Sequence, residues 1–219
     1  MTPLERMLSG GLRDVVVAGA VSPSVCRRAV SSLRELSPRT HPDYPSRTYG
    51  QVLLTSADEG DYLAAARQVE KALPAELLGA LTRELRGMAP GLGLKVPKTA
   101  DGAFYAAVTA RVLPPGADIA VHSERCDWPA MAQLRTHADL TIQLSFYLVL
   151  QAPEAGGELQ LYEGHNLDDP QPIPLSTGDL VVFDGTRHNH RVTPVEGDTE
   201  RWTLGGFLTV SGQTVLFWS

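Results

Sequence analysis

Three short triplets in this chain place a histidine two residues before a carboxylate: His41-Pro-Asp43, His122-Ser-Glu124 and His137-Ala-Asp139. On an extended strand the side-chain period is two, so both members of such a triplet point to the same side. Two imidazoles and one carboxylate on one face of a metal ion make a facial triad that leaves coordination positions open. The second imidazole must then come from a neighbouring strand, far away in sequence, and "HNHRV" offers His188 and His190. With six histidines and 25 acidic residues in 219, about one such triplet is expected by chance. The spacing alone therefore selects no single triplet, and the surrounding elements must choose.

The first third of the chain reads as a strand followed by helices. "DVVVAGAV" (14–21) is a β-branched run, and "SPSVCRRAVSSLREL" follows with Ser22 as N-cap and Pro23 at the first helical position. "RTYGQVLLT" (47–55) reads as a second strand. "DYLAAARQVEKAL" and "PAELLGALTRELRGM" carry apolar residues at helical spacing, and "GLGLKVPKTADG" reads as loop. From residue 103 onward short strands alternate with Gly, Pro and Asp turns: "AFYAAVTARVL", "DLTIQLSFYLVL", "GGELQLYEG", "GDLVVFDG", "HNHRVTPV" and "RWTLGGFLTV".

The run from Asp139 to Leu150 is the most informative. Ile142, Leu144, Phe146, Leu148 and Leu150 share one face, and Thr141, Gln143, Ser145 and Tyr147 share the other. If the preceding helices cover the apolar face, the polar face lines the inside of a barrel, and such an interior is a pocket. Helices first and many strands afterwards predict an α+β fold. Residues 1–219 read as a single domain, with 1–100 a mainly helical support region and 101–219 the β core.

In this order the segments resemble the Fe(II)/2-oxoglutarate-dependent oxygenases, and within them the prolyl-4-hydroxylase-like, PKHD-type branch. "PGADIAVHSE" is similar to that branch's Gly-x5-His-x-Asp segment, "AGGELQLYEG" to its Gly-Gly-Glu hairpin, and "LSTGDLVVFDG" with "HRVTPV" to its closing strands. The resemblance implies a double-stranded β-helix (jelly-roll) with N-terminal helices packed on one sheet. It implies Fe(II) held by His122, Glu124 and His190, with 2-oxoglutarate and O2 as co-substrates. Arg201 stands where the family places the base that holds the far carboxylate of 2-oxoglutarate. Thr203 adds a hydroxyl in an Arg-x-Thr pair, and Tyr147 matches a tyrosine that contacts the co-substrate in some relatives.

Three departures from the pattern stand out. The carboxylate is Glu124 where aspartate is commoner, residue 113 is leucine where relatives often have an aromatic, and Arg201 lies one residue further from His190 than usual. A bulge in "VEGDTER" would absorb that last difference. A carboxylate in the triad also argues against halogenation, which in related enzymes needs that position vacant for halide.

His137-Ala-Asp139 is the rival triplet, because aspartate is the usual ligand, but it lacks the glycine lead-in. His41-Pro-Asp43 reads as turn chemistry, and His188 as pocket lining or a solvated residue. Gly156, Gly157 and Glu158 read as hairpin geometry. Arg111 and Arg135 are candidates for a substrate carboxylate or for surface ion pairs. The Pro- and Asp-rich "EGHNLDDPQPIP" (163–174) is the place to look for specificity.

The formal net charge of −6 argues against a dedicated nucleic-acid binder. No apolar run approaches membrane-spanning length, and the N-terminal segment lacks the pattern of a secretory signal. Cys26 and Cys126 fit neither a disulfide framework nor a zinc site. A cytoplasmic dioxygenase that hydroxylates an unactivated C–H of a small molecule, releasing succinate and CO2, is the expectation. A peptidyl or protein hydroxylase, and a non-catalytic metal- or ligand-binding β-helix domain, are the alternatives.

Overall fold

The computed structural model describes residues 1–41, 44–53, 59–124 and 131–219. In chain order the elements are α1 (Pro3–Leu8), β1 (Asp14–Val17), α2 (Pro23–Arg34), β2 (Arg39–His41), β3 (Tyr44–Tyr49), α3 (Glu59–Ala72), α4 (Ala75–Met88) and β4 (Gly93–Lys95). There follow β5 (Thr109–Leu113), β6 (Ile119–His122), β7 (Leu144–Gln151), β8 (Ala155–Gly156), β9 (Leu159–Leu161) and β10 (Gln171–Ile173). The chain closes with β11 (Leu180–Phe183), β12 (His190–Val192), β13 (Val195–Glu196), β14 (Arg201–Ser211) and β15 (Thr214–Trp218). Among these described elements no helix is long and apolar enough to cross a membrane.

Two sheets face each other. The larger runs β1-β11-β7-β14-β5-β3-β2, with β15 pairing β14 and β4 pairing β15; the smaller runs β10-β9-β12-β6. This is the double-stranded β-helix expected from the sequence, with helices on the outer face of the large sheet. The alternation in β7 sets the polarity of that sheet. Leu144, Phe146, Leu148 and Leu150 join Cys26, Ala29, Val30 and Leu33 of α2 in one buried cluster. The buried α2 positions recur at i, i+3, i+4 and i+7, one stripe of a helix. The opposite face of β7 turns Ser145 and Tyr147 toward the small sheet, where Leu159, Leu161, Val181 and Phe183 pack.

Several element boundaries differ from the sequence reading. Within residues 1–100, β1 to β4 all join the large sheet. "GLGLKVPKTADG" contains a strand, β4, which pairs in parallel with β15 (Thr214↔Gly93, Leu216↔Lys95). A three-residue strand held by a partner far along the chain carries no local periodicity to announce it. β7 begins at Leu144 rather than Asp139, and β5 at Thr109 rather than Ala103. Ser22 does cap α2 and Pro23 does open it, but the Ser22 hydroxyl contacts that of Ser24 (3.1 Å) instead of a backbone N–H.

Because Leu33 is fully buried between α2 and the sheet, Leu33→Ala should cost about 2–5 kcal/mol of folding stability. Equilibrium urea unfolding measures this, with the midpoint falling and the slope unchanged.

Candidate active site

The register of one strand pair assembles the centre. β6 and β12 run antiparallel with His190 directly opposite His122. Their rings lie 4.2 Å apart, centroid to centroid. Glu124 follows β6 by two residues, and its backbone N–H donates to the Gly185 carbonyl (2.8 Å), which fastens it to the turn after β11. Its Oε1 stands 4.0 Å from His122 Nε2 and 3.6 Å from His190 Nε2. These separations exceed hydrogen-bond length. One donor atom from each of the three falls within 4.8 Å of the others, the spacing of a set that can hold a metal ion.

Both imidazoles are oriented for that purpose. His122 Nδ1 lies 2.8 Å from the Ala120 carbonyl and His190 Nδ1 3.3 Å from the His188 carbonyl. A carbonyl can only accept, so Nδ1 carries the proton and the Nε2 lone pair faces the centre. Burial and the neighbouring His190 hold the His122 pKa below its ordinary value, which favours the neutral, ligating form. Burial pushes the Glu124 carboxyl upward, but His190, His122 and Arg111 together outweigh it, and its pKa lies below the ordinary value. It is therefore a carboxylate near neutral pH.

All six residues picked out for the site, His122, Glu124, His190, Tyr147, Arg201 and Thr203, line one cavity of about 110 Å³. Arg201 opens β14 opposite Leu113 of β5 and is only 4% exposed. Its guanidinium lies over the Tyr147 ring, 5.0 Å from the centroid. Among the described residues no carboxylate pairs with it. A buried cation without a counter-ion is costly unless an anionic ligand supplies one. The Tyr147 hydroxyl is buried without a hydrogen-bond partner, as is the Ser145 hydroxyl two residues earlier on the same strand face. Burial pushes the Tyr147 phenol upward, with the Arg201 charge opposing, and the net direction is up; it stays a protonated donor. Buried groups without partners are rare in folded proteins. Here they face a cavity lined also by Arg201, Arg111 and the metal-ligating set, a lining that suits a dicarboxylate.

His137 and Asp139 do not join this centre. His137 is exposed and lines a larger surface groove of about 540 Å³ with Lys95, Lys98 and Phe104, and among the described residues no carboxylate lines that groove. Asp139 is exposed and accepts the Thr141 backbone N–H (2.9 Å). His41 ends β2 in the β2–β3 pair, and its partners Pro42 and Asp43 lie outside the described residues, as does Cys126.

His188 precedes β12 and is not on an extended strand beside His190. Its Nδ1 sits 3.0 Å from both the Tyr162 carbonyl and the Gly164 N–H, so it ties the 162–164 turn to β12. The 163–174 segment does not line the cavity, although its Ile173 packs with the cavity residues Leu159, Phe183 and Tyr147. The "VEGDTER" segment turns at Gly197 (φ 82°), and a register shift follows between Trp202 and Thr203 where β14 pairs β7. Arg111, cross-strand from Thr203, lines the same cavity. Ser145 and Gly185 were not singled out from sequence for the site; the alternation in β7 held the signal for Ser145, and none marked Gly185.

A jelly-roll core, helices on its outer sheet and a His-Glu-His set opening into an arginine-ended cavity define a non-haem Fe(II)/2-oxoglutarate dioxygenase, an enzyme that uses Fe(II), 2-oxoglutarate and O2. More narrowly, the chain belongs to the family of the carrier-protein-independent halogenase WelO5, whose model matches residues 2–172 and 165–219. No curated protein sequence matches it. Among solved structures it is similar to a Pseudomonas putida prolyl-4-hydroxylase, with 20% identity, 96% of this chain and 98% of that one covered, and a TM-score of 0.52. An N-substituted L-amino acid dioxygenase from Burkholderia ambifaria AMMD aligns with 14% identity, 99% and 90% coverage and a TM-score of 0.61. HygX from Streptomyces hygroscopicus, with nickel and 2-oxoglutarate bound, aligns with 12% identity, 93% and 85% coverage and a TM-score of 0.54.

The turn between β8, which pairs with β13, and β9 packs against Arg201. A Cβ on Gly157 (φ 62°) would stand 2.9 Å from Pro153 Cγ and 3.0 Å from Arg201 Cδ. Gly157→Ala should therefore destabilise the protein by more than about 1 kcal/mol, since the left-handed backbone and the contact both oppose it. Thermal unfolding of the ligand-free variant checks this.

Proposed function

We propose that the enzyme hydroxylates an unactivated C–H bond of a small molecule, with iron held by His122, Glu124 and His190 and the far carboxylate of 2-oxoglutarate held by Arg201. The observation that carries this reading is the Glu124 carboxylate beside both imidazole Nε2 atoms. An ion held by these three side chains and by a 2-oxo acid would still have room for O2. A halide would have to displace one of these groups. Membership of a family whose model is named for a halogenase does not by itself bring halogenation, because that chemistry needs the place Glu124 fills.

Iron held by these residues would supply the oxidative chemistry, in which O2 and 2-oxoglutarate are consumed and succinate and CO2 released. The chain's own groups position and enclose. The Ala120 and His188 carbonyls hold the imidazole tautomers. Arg201 makes a charge-assisted pair with the co-substrate, and the Tyr147 and Thr203 hydroxyls add hydrogen bonds. Phe183, with its ring 5.0 Å from that of His190, and Val192 form an apolar wall that keeps water away. A small substrate agrees with the confined cavity. It also agrees with the naming of one similar structure for an N-substituted L-amino acid and with the hygromycin B bound in another.

Anaerobic titration with Fe(II) and 2-oxoglutarate tests the site. The visible charge-transfer band of a chelated 2-oxo acid should appear in the wild type and in His137→Ala, and be lost in His122→Ala. In Arg201→Ala it should need far more 2-oxoglutarate. A band that survives His122→Ala but not His137→Ala would overturn the assignment.

Tyr147→Phe makes a finer test. Deleting an unpartnered buried hydroxyl should leave the melting temperature of the ligand-free protein unchanged or raised. It should weaken 2-oxoglutarate binding about tenfold or more, the worth of a hydrogen bond to a charged group. Once a substrate is found, product mass in chloride buffer separates hydroxylation from halogenation.

A further inference from the structure

A glutamate carries one methylene more than an aspartate, and in a crowded centre that methylene, Cγ, needs a place to lie. Here it lies over Gly185. A Cβ on Gly185 would stand 3.0 Å from Glu124 Cγ, 3.0 Å from His190 Cε1 and 2.9 Å from Ser145 Oγ. Three groups of the site thus converge on the point where any other residue would place its side chain. Gly185 does not have a left-handed backbone, so its conformation does not call for glycine. The close approach does.

The turn has no room to retreat. The Gly185 carbonyl accepts the Glu124 N–H (2.8 Å), and the Asp184 N–H donates to the Arg13 carbonyl (3.0 Å). Asp184, 1% exposed, accepts the Arg187 N–H (3.0 Å) and pairs with the Arg187 guanidinium, which in turn donates to the carbonyls of Met7 and Leu8 in α1. An added methyl would be accommodated by rotating the Ser145 hydroxyl, which has no partner to lose, and by moving Glu124 and His190.

We propose that Gly185 is a positioning residue of the metal centre, its missing side chain providing the path by which a glutamate, in place of an aspartate, reaches the ion beside His122 and His190. The proposal rests on the reading of those three residues as the ligands. It makes Gly185 and Glu124 an energetically coupled pair: the glycine is needed because the ligand is the longer acid. An aspartate, whose carboxylate replaces that methylene, turns directly toward the ion and has less need of the space.

Mn(II) affinity of the metal-free protein, followed by the electron paramagnetic resonance signal of the free ion, measures this coupling without turnover. Gly185→Ala should weaken Mn(II) binding about 10- to 100-fold, as disturbance of groups that orient metal ligands does, with the unfolding temperature of the metal-free protein not lowered. The same substitution made in the Glu124→Asp protein should weaken binding less than about threefold, a non-additivity that only coupled neighbours show. Equal weakening in both backgrounds, or none in either, would overturn the proposal. If Glu124→Asp alone abolishes binding, Gly185→Ala in the Glu124 protein decides: weakened binding with undiminished metal-free stability supports the proposal, and unweakened binding overturns it. His190→Ala serves as the reference. Undiminished Mn(II) binding there would remove the ligand assignment itself, whereas loss there with wild-type affinity in Gly185→Ala would remove only the role of Gly185.

Discussion

The pairing of β6 with β12 is the constraint on which the centre depends, because it sets His190 against His122. Neither strand is long, and the small sheet alone would not hold them. The large sheet does so indirectly. Its apolar face is covered by α2, which leaves its other face turned inward, and the small sheet closes over that face by packing Leu159, Leu161 and Ile173 against Val181 and Phe183 of β11. The packing that stabilises the fold and the alignment that assembles the donors are thus two sides of the same strands.

Much of this could be read from the chain before folding was considered. The alternation from Ile142 to Leu150 separates the helix-covered side from the cavity side, and the structure follows it with Phe146 in the core and Tyr147 in the cavity. Glycines 156 and 157 both adopt positive φ, as expected of turn residues, although the turn is not a hairpin, since β8 pairs with β13 and not with β9. Those signals are local: a period of two, or a turn that only glycine makes cheaply.

What the chain did not disclose depends on partners distant in sequence. His122 and His137 begin similar triplets; the glycine lead-in favours the first, but the strand pairing that sets it opposite His190, with His137 on an exposed surface, has no local signal. β4 is a strand because β15 lies beside it, and His188 reads as a neighbour of His190 until the turn before β12 carries it to Tyr162 and Gly164. Gly185 was hidden for another reason. A glycine required by the approach of three side chains from other segments looks, in sequence, like one more turn residue in "FDGTR".

The unpaired cation at Arg201, 4% exposed over the Tyr147 ring, reaches beyond ligand binding. Without a ligand anion against its guanidinium that charge has no paired carboxylate among the described residues, and a carboxylate bound there would stabilise only the native state. In a cell, the fraction of molecules open to proteases would then rise as the dicarboxylate pool falls. The supply of co-substrate would govern how long each copy of the enzyme lasts as well as how fast it works.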